Sequence, residues 1–116
     1  MRENAIQAAV RLALGSIPGV VAWRNNVGVA HMLDGSVVRY GLARGSSDLI
    51  GIVTMPDGSG RFCAWEVKTR RKGSKPSDEQ DLFLGLVRKL GGFACVVRSA
   101  DEAVAAVARC RAGGVE

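Results

Sequence analysis

The chain is 116 residues long, which allows one hydrophobic core and is too short for two. With 47% hydrophobic and 23% charged residues it has the balance of a globular domain, and no apolar run approaches the ~20 residues that span a membrane. Lys and Arg total 16 against 11 Asp and Glu, so a net charge of +5 tilts the choice of partner towards nucleic acid or another polyanion.

The amino terminus lacks the charged-then-apolar run of a secretory signal, so a cytoplasmic protein is expected. Ile6, Ala9, Val10, Ala13 and Leu14 recur at helical spacing and predict an amphipathic helix over 1–15. Glu3 lies in its first turn, where an acid complements the helix dipole. Ile17-Pro18-Gly19 ends that helix, and a strand is predicted over 20–26. Asp34-Gly35, between the apolar runs 29–33 and 36–40, signals a hairpin. His31 stands on this hairpin with no second His or Cys beside it, so it reads as a surface or packing residue rather than a ligand. The loop 41–47 is rich in Gly and Ser. Such a loop can bring backbone N–H groups close to a phosphate, with Arg44, Ser46 and Ser47 as candidate contacts, and it equally suits a plain turn. It lacks the Gly-Lys-Ser/Thr ending of a P-loop.

Two strands, 48–54 and 61–68, flank the turn Pro56-Asp57-Gly58-Ser59-Gly60. Side chains alternate along a strand, so Glu66 and Lys68 share one face while Cys63, Trp65 and Val67 pack on the other. Antiparallel pairing through the turn brings Asp48 beside Glu66. Two carboxylates and a lysine at one point suit a hard divalent cation and a water, and burying them unpaired would be costly. The next loop, 69–76, carries Arg70, Arg71, Lys72 and Lys75. A charge run is usually a solvated loop, but directly after that strand it points to DNA-backbone contact, which gives affinity without sequence readout.

A helix is predicted over 77–90: Ser77 and Gln80 form a capping box, Leu82, Phe83, Leu86, Val87 and Leu90 its apolar stripe, and Gly91-Gly92 its stop. A buried strand over 93–98 should lie parallel to its sheet neighbour across that helix. Ser99 and Glu102 read as a second capping box, opening a last helix with Ala103, Val104, Ala106, Val107 and Cys110 on its apolar side. Residues 112–116 read as a frayed tail. The three cysteines are widely spaced with no C-x-x-C, which argues against a disulfide framework or a zinc site and makes Cys63 and Cys95 core residues. The element order predicts a single α/β sandwich domain over 1–116, with a mixed central sheet flanked by helices.

Asp48, followed after seventeen residues by Glu66-Val67-Lys68, resembles the PD-(D/E)XK nuclease signature, with Ser47 where that name has proline. Five stretches in order narrow the resemblance: Gly45-Ser46-Ser47-Asp48-Leu49-Ile50-Gly51, Glu66-Val67-Lys68-Thr69, Ser77-Asp78-Glu79-Gln80, Gly91-Gly92-Phe93-Ala94 and Val96-Val97-Arg98-Ser99. Together they are similar to the VRR-NUC family, from Glu3 to about Ala106. The resemblance implies a restriction-endonuclease-like fold and a metal-dependent DNA endonuclease. Asp48, Glu66 and the Val67 carbonyl would hold Mg²⁺, with Mn²⁺ as substitute, and Lys68 would serve the attacking water. Family members carry an acid in the first helix that joins the metal site, the position Glu3 takes here. They place a glutamine beside the catalytic lysine, which makes Gln80 a site residue, a role hard to combine with capping. Small members resemble Holliday junction resolvases, implying a homodimer acting on branched or four-way DNA, in a bacterial cell that would be the host if the gene is a phage's. A general or restriction-type DNA endonuclease, and a nucleic-acid-binding module without catalysis in which Glu66 and Lys68 form only a salt bridge, are the rival readings.

Overall fold

The computed structural model describes residues 2–116; the predicted first helical position, Met1, lies outside them. The elements run α1 (Glu3–Gly15), β1 (Val20–Arg24), β2 (Gly28–His31), β3 (Val37–Tyr40), β4 (Leu49–Thr54), β5 (Gly60–Val67), α2 (Asp78–Lys89), β6 (Phe93–Val97) and α3 (Ala100–Arg111). Four strands form the central sheet in the order β1-β4-β5-β6, and β2 and β3 form a separate hairpin. β1, β4 and β5 are antiparallel neighbours, whereas β5 and β6 are parallel, because α2 carries the chain from the end of one to the start of the other. The sheet is therefore mixed and flanked by three helices, as expected. No helix among the described residues is long and apolar enough to cross a membrane.

Strand alternation divides the core. Leu49, Val53, Cys63, Trp65, Val67, Phe93 and Val97 point to the side where α1 contributes Ile6, Val10 and Leu14 and α3 contributes Ala103, Ala106, Val107 and Cys110. Each large apolar side chain buried there contributes roughly 1.5–3 kcal/mol. The opposite face holds a much smaller cluster, Ala64 and Ala94 under Leu84 and Val87 of α2. The predicted stripe on α2 is shifted accordingly: Leu84 and Val87 are buried, while Leu82, Leu86 and Leu90 stay exposed. All three cysteines are buried and free, with Cys63 Sγ 3.7 Å from Cys110 Sγ; burial pushes the Cys63 thiol up, which keeps it unreactive.

Two turns are built alike. In Met32-Leu33-Asp34-Gly35-Ser36 and Met55-Pro56-Asp57-Gly58-Ser59 the Met N–H donates to the Ser carbonyl, and the Asp Oδ1 accepts from both the Ser N–H and its hydroxyl. Gly35 (φ 86°) and Gly58 (φ 87°) take the left-handed position that closes each turn. The turns are thus longer than a two-residue Asp-Gly loop, which is why β2 and β3 stop at His31 and start at Val37.

Residues 112–116 are fastened rather than frayed. Ala94 N–H donates to Val115 O at the β6 edge, Arg61 Nη1 donates to Gly114 O at 2.7 Å, and Arg88 and Arg109 both hold Glu116. Arg61 explains why a tail with no buried apolar side chain stays in place: the same guanidinium also reaches the carbonyls of Gly91, Gly92 and Cys110, joining β5, the end of α2 and the end of α3.

Candidate active site

Register places the candidate residues. Leu49 pairs with Trp65 and Ile50 with Ala64, so Asp48, one step before β4, falls across from Glu66. Asp48 Oδ2 accepts a hydrogen bond from Val67 N–H at 2.9 Å, which holds the carboxylate against the end of β5. The backbone before Asp48 is fixed by Asn25: its N–H donates to Asp48 O, its side-chain nitrogen to Ser46 Oγ at 2.7 Å and Ser47 O at 3.0 Å, and its Oδ1 accepts from Leu42 N–H. Gly45 completes the fit. It sits at φ 79°, and a Cβ there would come within 2.6 Å of the Glu79 carbonyl oxygen, so the loop packs on α2 only with glycine.

Glu66 is fully buried. Its Oε1 accepts from Gln80 Nε2 at 3.1 Å and lies 3.9 Å from Lys68 Nζ, a through-space attraction rather than a hydrogen bond. Its Oε2 is buried with no partner. Burial first, then the adjacent Asp48 carboxylate, push the Glu66 carboxyl up to about 9, with Lys68 pulling the other way and Glu3 adding to the rise. An orphaned carboxylate oxygen beside a second carboxylate is held by a shared proton or by a cation. Lys68 is itself largely buried, at 14% side-chain exposure, and offers only part of that compensation.

Gln80 both caps and positions. Its Oε1 accepts from Ser77 N–H at 2.9 Å while its Nε2 donates to Glu66, so a single amide closes the capping box and orients the buried acid. The two roles expected to exclude each other use opposite ends of one group.

A cleft of about 330 Å³ lies over this point and is lined by Glu3, Asn4, Gln7, Arg24, Asn25, Asp48 and Gln80 among others. Glu3 thus faces the same cleft as Asp48, although among the described residues no group of three or more His, Cys, Asp and Glu side chains comes close enough to hold a metal alone. Two carboxylates with an unpartnered oxygen still fit Mg²⁺, a hard cation that keeps several waters and takes one or two protein carboxylates with its substrate's phosphates.

The candidate polyanion contacts separate into two groups. Ser46 is turned inward, its hydroxyl donating to Ala43 O at 2.6 Å, and Ser47 is fully buried. The Ser46 hydroxyl is engaged within the loop although Ser46 also lines the cleft, and the Ser47 hydroxyl is buried, because Asn25 draws the loop onto the sheet. Arg44 is exposed and paired with Glu79 at 2.9 Å, and Arg70 is paired with Glu102 at 3.1 Å. Arg71, Lys72 and Lys75 are exposed and make no ion pair among the described residues. Their loop is pinned at its base by Arg98, whose Nη1 donates to the carbonyls of Thr69 and Ser74, at 2.8 Å for the latter, and by Thr69 N–H donating to Ser74 Oγ. Glu102 does not complete a capping box with Ser99. Its N–H donates to Ser99 Oγ, but its own Oε1 accepts from Arg98 N–H, one residue earlier, because Oε2 is drawn towards Arg70.

Asn25, Arg61 and Arg98 are the organising residues that sequence reading passes over. Each anchors carbonyls or loops distant in the chain, and their spacing carries no local signal. No protein-family model matches the chain, and no curated protein matches it either.

Proposed function

We propose that the chain is a metal-dependent nuclease of the VRR-NUC kind, hydrolysing phosphodiester bonds in DNA. The observation that carries this reading is the buried Glu66 Oε2, left without a partner across from Asp48, which itself lines a polar cleft. Asp48 and Glu66 would hold Mg²⁺, with the Val67 carbonyl as a further oxygen ligand and Glu3 within the same cleft. When bound, such a cation polarises a scissile phosphate and lowers the pKa of a bound water.

The chain's own groups have definable tasks. Gln80 fixes the Glu66 carboxylate through Oε1 and leaves Oε2 without a partner. Val67 N–H holds Asp48 in one rotamer, which keeps the two acids in place before any cation arrives. Lys68, on the same strand face as Glu66, would as a cation orient a nucleophilic water and offset charge on the pentacovalent transition state, or as the neutral amine help take the water's proton. The outward cations Arg71, Lys72 and Lys75, on a loop held rigid by Arg98, provide phosphate contacts that give affinity without base readout. A domain of this size, reading backbone rather than bases, suits selection by DNA shape, and branched DNA such as a four-way junction is the substrate we propose.

A labelled four-way junction and its matched linear duplex, incubated with Mg²⁺, Mn²⁺ or EDTA, test the reading. Metal-dependent, symmetric nicks confined to the junction are expected, lost in Asp48→Ala, Glu66→Ala and Lys68→Ala. Equal cutting of both DNAs would leave a general endonuclease. Binding without cutting by the folded chain in either metal would overturn the catalytic reading.

A further inference from the structure

The candidate cleft does not end at Asp48. A second polar pocket, of about 190 Å³, adjoins it, shares Asn4, Gln7 and Arg24 with it and adds Arg11. Together they make one groove across the end of the sheet, from Gln80 of α2 past Asp48 and the end of β1 to the outer flank of α1. The α1 sequence builds that flank. Ile6, Val10 and Leu14 are buried, and Glu3, Asn4, Gln7 and Arg11, at three- and four-residue spacing, form a polar stripe beside them.

Charge changes along this stripe. Glu3 lies at the Asp48 end, the amides of Asn4 and Gln7 come next, and Arg11 stands about 12 Å from Glu3 along the helix axis, at ~1.5 Å per residue. Arg24 faces the same groove from β1, where it pairs in register with Leu49, the residue after Asp48. It shares the cleft with Glu3 and Asp48 but forms an ion pair with neither, and Arg11 has no acidic partner among the described residues. Arg44 and Arg70, by contrast, are held by Glu79 and Glu102. The basic loop 69–76 lies on the other flank of α1, where Arg70 lines a separate pocket with Ile6 and Ala9.

We propose that Arg11 and Arg24, with the amides of Asn4 and Gln7, form a subsite for the phosphates of the DNA strand next to the scissile bond. The inference rests on the nuclease reading and deepens it, because it fixes the path by which the strand leaves the cleft. Glu3, Asp48 and Glu66 make one end of the groove acidic, so phosphates beyond that end must be met by the chain's own cations. Two exposed guanidinium groups not engaged by an acid supply them, and their planar donor forks match phosphate oxygens. At ~3.4 Å of axis per phosphate of one strand, the stripe from Glu3 to Arg11 spans about three phosphates. The loop 69–76, across α1, then meets a different part of the DNA, and its contacts add to those of the groove.

Fluorescence anisotropy of a labelled four-way junction in EDTA, over a salt series, counts phosphate contacts without cutting. Replacing both residues, Arg11→Gln with Arg24→Gln, should lower the slope of log affinity against log salt by about 1.5–2. Arg11→Lys with Arg24→Lys should restore most of that slope, since the charge is kept. Lys89→Gln, at the exposed far end of α2, should leave it unchanged, and all three proteins should keep the wild-type Tm. A wild-type slope in the double glutamine variant overturns the subsite, as does an equal loss in Lys89→Gln or a lysine pair that restores nothing. Metal-dependent cutting beside an unchanged slope would remove the subsite alone. An arginine-dependent slope in a chain that cuts with neither Mg²⁺ nor Mn²⁺ would remove the nuclease reading and leave the groove a phosphate site.

Discussion

Replacing Glu66 by Gln should stabilise the metal-free protein at alkaline pH, the reverse of the usual effect of removing a buried charge partner. Glu66 is fully buried, with Oε2 unpartnered and Asp48 beside it, and its carboxyl is pushed up to about 9 from an ordinary 4.5. The folded state therefore keeps a proton that the unfolded chain has released above the ordinary carboxylate pKa. Its contribution is fully present below about pH 4.5 and is lost as pH rises towards 9, at about 1.4 kcal/mol per pH unit. Between pH 5.5 and 8.5 that amounts to about 4 kcal/mol if Glu66 alone holds the proton, and about 2–4 kcal/mol if it is shared with Asp48. Glutamine keeps the bond from Gln80 and places an amide N–H towards Asp48, so it copies the protonated acid at every pH. Urea unfolding in EDTA at one protein concentration, from pH 5.5 to 8.5, should show the advantage of Glu66→Gln over wild type smallest at the acid end. That advantage should grow by about 2–4 kcal/mol by the alkaline end. Mg²⁺ should then raise the wild type at pH 8.5 and leave the variant unchanged, because the cation takes the place of the shared proton. A wild-type minus variant difference that stays flat with pH, or a variant less stable at pH 8.5, would refute the carboxylate pairing.

Lys68→Ala should reduce cleavage at least ~100-fold while leaving junction affinity within about twofold in a gel-shift assay, since its task is proton handling and charge rather than docking. Replacing Arg71, Lys72 and Lys75 by Ala together should lower the slope of log affinity against log salt by about 2–3, measured by fluorescence anisotropy, without changing Tm. Gly45→Ala should cost about 2–3 kcal/mol in urea unfolding, combining a left-handed φ with the approach to the Glu79 carbonyl; a cost below 0.5 kcal/mol would show that the loop relaxes. Arg61→Ala should cost about 2–4 kcal/mol and raise proteolysis within 112–116, because four backbone carbonyls lose one guanidinium.

What the sequence made legible is local. Alternation along 61–68 correctly separates Glu66 and Lys68 from Cys63, Trp65 and Val67, and the Asp57-Gly58 turn sets the register that faces Asp48 with Glu66. Ser77 and Gln80 declare the start of α2 because a capping box needs only four consecutive residues. Contacts between distant segments were not legible. Of the stripe Leu82, Phe83, Leu86, Val87 and Leu90 only Val87 is buried, with Phe83 at the cluster's edge, while Leu84, outside the stripe, is core; only the position of the sheet decides which side is core. The tail looked frayed because its anchors, Arg61, Arg88 and Arg109, lie far along the chain or read as ordinary surface cations. The inward turn of Ser46 and Ser47 depends on Asn25, more than twenty residues earlier, whose polar side chain at a strand end has no periodic signature.

Gln80 shows how closely the fold and the candidate site are joined. The first turn of α2 is stable because Gln80 Oε1 accepts from Ser77 N–H, and that bond fixes the direction in which Nε2 must point. It points at Glu66 Oε1, leaving Oε2 as the one oxygen of that carboxylate available to a cation. Asp48 is held the same way, by the N–H of Val67, the residue between the second acid and the lysine. Each acid is thus oriented by a group that belongs to regular secondary structure and moves only with its element. A cation placed between them meets carboxylates already immobilised, so little rotamer entropy remains to be lost on binding. The cost falls on the metal-free state, which must keep an unpartnered oxygen and a displaced carboxyl pKa in its interior. Stored instability of that kind, confined to one buried oxygen while the surrounding core is closely packed, is what a preorganised cation site requires.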